Sequence, residues 1–300
     1  MFSEFIEPAK ALGIELVAAK TTQVLSVEEL IALVPLYDGW IIGDDPATKQ
    51  VFEAGLTGKL KAAVKWGIGV DNVDFAACKE LNIPIINTPN MFGGEVADVA
   101  LAFLLGLARE TYFIDREIRN NCGWPKPAGM SVAGKTVGVV GFGDIGKSTV
   151  KRLSGFDVNV TVYDPGVEGE QGFSFVQRKS FPDGLEELDF LIFTCALNQH
   201  NFHMLNADTL SKLKPGAKVI NVARGPLIDE QALIAALQSG HISAAALDVF
   251  EEEPLPAASP LREMPQCIFG SHNGSNTKEG VRRATFEAIS RMAGFLTGKS

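Results

Sequence analysis

At 300 residues the chain is long enough for two compact domains, each with its own core. Its 46% hydrophobic and 21% charged residues describe a globular protein and exclude a disordered or fibrous one. A net charge of −9 argues against nucleic acid or an anionic membrane surface as partner, although a local basic pocket can still hold a small anion.

In chain order, a helix-like stretch over 3–12 comes first, with no basic region and apolar stretch of a signal peptide. Candidate strands follow at 15–19, 40–42, 62–65 and 83–86. The turn-rich Asn87-Thr88-Pro89-Asn90 then opens a single long helix over about 95–120. Its apolar run, 99–108, is too short to span a bilayer and reads as buried. A second series of strands is predicted at 136–140, 159–163, 190–194, 219–222, 244–248 and 267–270. Short apolar runs alternating with helical patterns predict parallel sheets covered by helices, here two doubly wound α/β domains. Cys78, Cys122, Cys195 and Cys267 have neither zinc-ligand nor redox spacing, so reduced thiols, a cytoplasmic location and no metal are expected.

Gly141-Phe142-Gly143-Asp144-Ile145-Gly146 follows a predicted strand and opens a predicted helix. Glycines there allow a tight turn and close approach of a pyrophosphate to the helix amides. Asp164, at the end of the next strand, suits a ribose diol and repels a 2′-phosphate, which favours NAD. The stretch from Gly141 to Ser148 also fits G-x-x-x-x-G-K-S, with Lys147 for terminal phosphates and Ser148 for magnesium, so a triphosphate-using enzyme is a second reading of this loop.

Three later segments each carry one reactive side chain just past a predicted strand, where open α/β sheets bind ligands. They are Asn221-Val222-Ala223-Arg224-Gly225-Pro226, the acidic Ala246-Leu247-Asp248-Val249-Phe250-Glu251-Glu252-Glu253-Pro254, and Ser271-His272-Asn273-Gly274. With Lys65-Trp66-Gly67-Ile68-Gly69-Val70-Asp71-Asn72, Asn87-Thr88-Pro89, Val96-Ala97-Asp98 and the glycine loop, they occur in one order. That set resembles the D-isomer-specific 2-hydroxyacid dehydrogenases, which include D-3-phosphoglycerate dehydrogenase, from about Ala62 to the C-terminus.

The resemblance implies an NAD-dependent oxidoreductase that moves hydride to or from C2 of a small D-2-hydroxy or 2-oxo acid, and it favours the dinucleotide reading of the loop. It implies a Rossmann-type NAD domain, 98–272, inserted into a flavodoxin-like substrate domain, 1–97 with 273–300. The crossings near Asp98 and His272 would then form a hinge beside the active-site cleft. His272 becomes the acid/base, Glu253 its orienting partner, and Arg224 the clamp on the substrate carboxylate and 2-oxo oxygen. Cofactor contacts fall on Gly141, Gly143, Asp144, Ile145, Gly146, Asp164, Cys195, Ala223, Asp248 and Gly274, with Asp248 at the nicotinamide carboxamide. Substrate contacts fall on the backbone of Gly67, Ile68 and Gly69 and on Arg224, with Lys65 for a second anionic group. A homodimer is implied, with 99–108 a candidate contact. His200, His203 and His241 have no such context and read as structural or surface residues, as do Trp40 and Trp124.

The chain departs from the family in opening on a helix, so the usual first strand is missing: either the start is assigned late or the outer domain is built differently. It closes at Ser300 with no regulatory module expected, and Ala196 stands where the family often has proline. A non-catalytic NAD(H) sensor on the same fold remains an alternative. A formate-oxidising relative fits less well, because that branch carries glutamine where Glu253 stands.

Overall fold

The computed structural model describes residues 2–21, 24–166, 173 and 175–298. They divide into two compact units, Met1–Met91 with Thr277–Ser300, and Phe92–Asn276.

The first unit contains α1 (Ser3–Ala11), α2 (Val27–Leu33), β1 (Gly39–Ile42), α3 (Lys49–Leu56), β2 (Ala62–Lys65), α4 (Phe75–Glu80), β3 (Ile85–Asn87) and the C-terminal helix Lys278–Thr297. A capping box starts α2: the Ser26 hydroxyl accepts from the Glu29 amide, and the Glu29 carboxylate accepts from that of Ser26. The parallel sheet has the order β1-β2-β3, with Ile41, Val64 and Ile86 in register. Because side chains alternate along a strand, β2 feeds two cores. Ala63 joins Leu30, Val34, Val51 and Phe52 on one face, while Ala62 and Val64 meet Ala288 and Met292 of the C-terminal helix on the other.

The expected strand at 15–19 does not form. Its alternation is real, since Ile14 and Leu16 pack onto the Phe5, Ala9 and Ile289 cluster while Glu15 and Val17 face solvent. Among the described residues no strand pairs with it, so the segment is extended without being part of a sheet.

The second unit contains α5 (Gly93–Arg109), α6 (Thr111–Asn121), β4 (Thr136–Val140), α7 (Asp144–Leu153), β5 (Asn159–Tyr163), β6 (Val176–Arg178), β7 (Phe190–Phe193), α8 (Ala207–Lys212), β8 (Ala217–Asn221), α9 (Glu230–Ser239), β9 (Ile242–Leu247) and β10 (Cys267–Phe269). The C-terminal helix of the first unit is then α10 (Lys278–Thr297). The single helix expected over 95–120 is two helices, broken at Glu110, whose φ of 54° lies in the left-handed region. The apolar run 99–108, read as buried and also as a candidate partner contact, is largely interior to this unit: Ala100, Leu101, Phe103, Leu104, Leu107 and Ala108 are buried. By contrast, α6 buries none of its residues.

All seven strands are parallel, in the order β10-β9-β8-β7-β4-β5-β6. Central β7, Phe-Leu-Ile-Phe, is fully buried on both faces. The chain leaves β4 toward β5 and β6, then returns to β7 on the other side of β4. That reversal is the topological switch point where doubly wound sheets open a ligand crevice beyond the carboxyl ends of their strands.

Candidate active site

The glycine loop sits at this switch point, and its three glycines have different physical reasons. Gly141 has φ 94°, and a Cβ there would lie 2.6 Å from the Cα of Cys195. A Cβ on Gly146 would lie 2.1 Å from the Gly141 carbonyl, so α7 starts hard against the strand end. Gly143 meets nothing within 4 Å, the open approach that a diphosphate at a helix N-terminus requires. The loop is fixed from outside: the Phe142 amide donates to Asp164 Oδ2 at 2.6 Å, and Thr194 Oγ1 donates to the carbonyls of Val140 and Gly141. Lys147 is exposed, with its ammonium 5.9 Å from the centre of the Phe142 ring.

Arg224, Glu253 and His272 follow β8, β9 and β10, which are adjacent in the sheet. Asn221, 1% exposed, shapes the first segment by donating to the Arg224 carbonyl and accepting from the Ala223 amide. The Arg224 Nη1 donates to the Ala223 carbonyl at 2.8 Å. Gly225 makes the packing possible, because a Cβ there would lie 1.8 Å from the Phe250 carbonyl oxygen. The arginine segment therefore lies directly against the segment that leads to Glu253.

His272 Nδ1 is 2.7 Å from Glu253 Oε2, and Glu253 Oε1 accepts the Phe250 amide at 2.9 Å. Burial pushes the Glu253 carboxyl upward. The hydrogen bonds from His272 and Phe250, with the charges of His272 and Arg224, outweigh that and hold it below its ordinary value. His272 itself has φ 55°, a left-handed backbone that needs outside support. Asp248 supplies it: its carbonyl accepts the His272 amide, Oδ1 accepts the Asn273 amide, and Oδ2 accepts the Gly274 amide. Asp248 is 3% exposed, and a Cβ on Gly270 would lie 2.0 Å from its carboxylate.

In the first unit, the loop after β2 is tied by buried Thr88, whose hydroxyl accepts the Gly67 amide at 2.7 Å. The amides of Ile68 and Gly69 have no acceptor among the described residues. Lys65 is 3% exposed; its ammonium donates to the Gly43 carbonyl at 2.5 Å and lies 3.5 Å from an Asp44 oxygen. Trp66 packs beside Val64 and donates to the Thr285 hydroxyl at 3.1 Å.

Sequence reasoning missed the supporting roles of Asn221, Thr88 and Thr194. The first two lie inside recognised motifs, so their positions were visible, but their burial depends on neighbours distant in sequence.

The sequence model of the D-isomer specific 2-hydroxyacid dehydrogenase NAD binding domain matches residues 101–274, more than half of the chain. The chain belongs to the D-isomer-specific 2-hydroxyacid dehydrogenases. It is 37% identical to glyoxylate/hydroxypyruvate reductase B of Yersinia enterocolitica, over 80% of this chain and 76% of the relative. It is 34% identical to the chloroplastic D-3-phosphoglycerate dehydrogenase 2 of Arabidopsis thaliana, covering 92% of this chain but only 44% of that longer relative. A solved structure from Thermus thermophilus superposes with a TM-score of 0.90 at 28% identity, over 99% of this chain and 94% of the other.

As a member of this family, the chain is an NAD-dependent oxidoreductase of 2-hydroxy acids. The loop fits that cofactor: an open Gly143, the amides opening α7 and a carboxylate at Asp164. The triphosphate reading of Lys147 and Ser148 is set aside by the family match. All four cysteines are free. Burial pushes the thiols of Cys78 and Cys195 up to about 12 and that of Cys267 up to about 11, so none of these three is an activated nucleophile.

Proposed function

We propose that the chain moves hydride reversibly between NAD and C2 of a small D-2-hydroxy or 2-oxo acid, with His272 as acid/base, Glu253 as its orienting partner and Arg224 as the substrate clamp. The observation that carries this reading is the 2.7 Å contact between His272 Nδ1 and Glu253 Oε2 beside Arg224. With Nδ1 committed to Glu253, proton exchange with the substrate oxygen falls to Nε2. In reduction, His272 delivers its proton to the carbonyl oxygen as C2 gains hydride; in oxidation it takes the hydroxyl proton. The Glu253 carboxylate steadies the imidazolium between those events. Arg224 stays charged throughout and polarises the 2-oxo oxygen while binding the carboxylate.

When bound, NAD supplies or accepts the hydride. Gly141, Gly143, Asp144, Ile145 and Gly146 would hold its pyrophosphate and Asp164 its ribose, with Asp248 at the nicotinamide carboxamide and Cys195, Ala223 and Gly274 as further contacts. Both Asp248 oxygens already accept loop amides, so its main part is holding the His272 loop. In the first unit, the amides of Ile68 and Gly69 suit a substrate carboxylate, and Gly67 sets their turn.

Among acids, we favour glyoxylate or hydroxypyruvate, the substrates in the name of the Yersinia relative. A second anion on the substrate would compete with Asp44 for the Lys65 ammonium. NADH oxidation measured against glyoxylate, hydroxypyruvate and phosphohydroxypyruvate tests this choice. The first two should exceed the third in kcat/KM by roughly tenfold or more. A preference for the phosphorylated acid that Lys65→Met abolishes would instead assign Lys65 to a second anion.

A homodimer and a cytoplasmic location complete the reading. Exposed Tyr112 and Ile118 on α6 favour the first, and four free cysteines favour the second. Recovery of a disulfide-linked form from cells would contradict the location. Among the described residues, no helix is long and apolar enough to cross a membrane.

A further inference from the structure

We propose that His203, Asp229 and Glu251 bind one divalent transition-metal ion of the zinc or manganese class, at the base of the loop that carries Glu253. The three residues come from separate segments: the turn after β7, the N-cap of α9, and the loop after β9. No sequence spacing marks them as a set. One ligand atom from each nevertheless lies within 4.8 Å of the other two. Nitrogen and oxygen ligands sit about 2.0–2.2 Å from zinc, which puts atoms sharing one ion roughly 3–4.4 Å apart. Side-chain shifts of under about an ångström would therefore complete the set.

The site is built rather than incidental. The His203 amide donates to the Pro226 carbonyl at 2.8 Å, the Leu205 amide to Leu227 at 3.1 Å, and the Asp229 amide to Leu205 at 2.9 Å. These bonds stitch the histidine segment to the aspartate segment. The Phe202 ring stacks on the His203 imidazole with centroids 4.0 Å apart, fixing its plane. His203 Nε2 is already 2.6 Å from Glu251 Oε1, and the Glu230 amide donates to that same oxygen at 3.1 Å. Asp229 Oδ1 caps the Ala232 amide, so the ligand role falls to Oδ2.

The positive end of α9, about half a charge, opposes a cation. Asp229 and Glu251 bring two carboxylates directly to the ion, and Glu230 and Glu252 adjoin them in sequence, which outweighs it. One imidazole with carboxylates suits zinc or manganese better than calcium or magnesium, which prefer all-oxygen shells. Glu251 stands two residues before Glu253, and Glu253 accepts the Phe250 amide. A metal here would tether the segment on which the proposed catalytic carboxylate rests.

The alternative is a plain His203–Glu251 ion pair, and Asp229 separates the two. Asparagine is as good an N-cap as aspartate, so Asp229→Asn keeps the helix start and removes the ligand charge. Equilibrium dialysis and thermal shift of EDTA-stripped full-length chain with zinc, manganese and magnesium would use a Cys122→Ser background, which removes the exposed thiol. Saturable zinc or manganese binding is expected at one ion per chain, with a raised Tm. His203→Ala and Asp229→Asn should each weaken it roughly tenfold or more while keeping the NADH-induced thermal shift, and His272→Ala should retain it. No saturable binding, binding unchanged in Asp229→Asn, or binding lost in His272→Ala but not in His203→Ala would each overturn the proposal.

Discussion

One oxygen of Glu253 accepts a backbone amide and the other meets the His272 ring, and the carboxyl is held below its ordinary value as a result. A depressed carboxyl contributes stability that is fully present above its unfolded value of about 4.5 and is lost as pH falls through the lower folded value. Thermal melting from pH 7 down to pH 3 should therefore show a loss of Tm in the native chain that is smaller in Glu253→Gln. Identical acid profiles would mean that the pair stores no such stability. The places of Arg224, Glu253 and His272 just past β8, β9 and β10 were legible from short motifs after apolar runs, while the roles proposed for them come from the family resemblance. The environment of Lys65 was not legible: nothing in its motif marks it as 3% exposed with the Gly43 carbonyl as acceptor. Burial of a side chain is decided by segments that only the fold brings together.

Strands buried on both faces were the most legible elements. The predicted spans 136–140 and 159–163 coincide with β4 and β5, whose apolar runs end at Gly141 and Asp164. Short β6, Val176–Arg178, went unread because Gln177 and Arg178 interrupt any apolar run. The break between α5 and α6 carries neither glycine nor proline, since Glu110 itself takes the left-handed turn. The consequence is a helix turned away from the core, with Tyr112 at 47% and Ile118 at 41% exposure. If α6 is the face between two copies, light scattering should give twice the chain mass for the native protein and a shift to monomer for Ile118→Glu. A native monomer, or an unaffected dimer in the variant, would contradict that placement.

The second unit holds the glycine loop, Asp164 and the Arg224–Glu253–His272 set on one parallel sheet, while the first carries the loop after β2 on a sheet of its own. The alternation of strands and helices made both sheets legible. The number of strands in the first was not, because the pattern at 15–19 pairs with no strand among the described residues. If His272 is the proton carrier and not a cofactor ligand, its loss must separate binding from turnover. The decisive measurement compares the native chain with His272→Gln for thermal stabilisation by NADH and for NADH oxidation by hydroxypyruvate. We expect the same stabilisation in both, with turnover reduced about 10²–10⁴-fold in the variant. Stabilisation with undiminished turnover in His272→Gln, or a native chain that binds NADH and reduces no 2-oxo acid, would contradict the account.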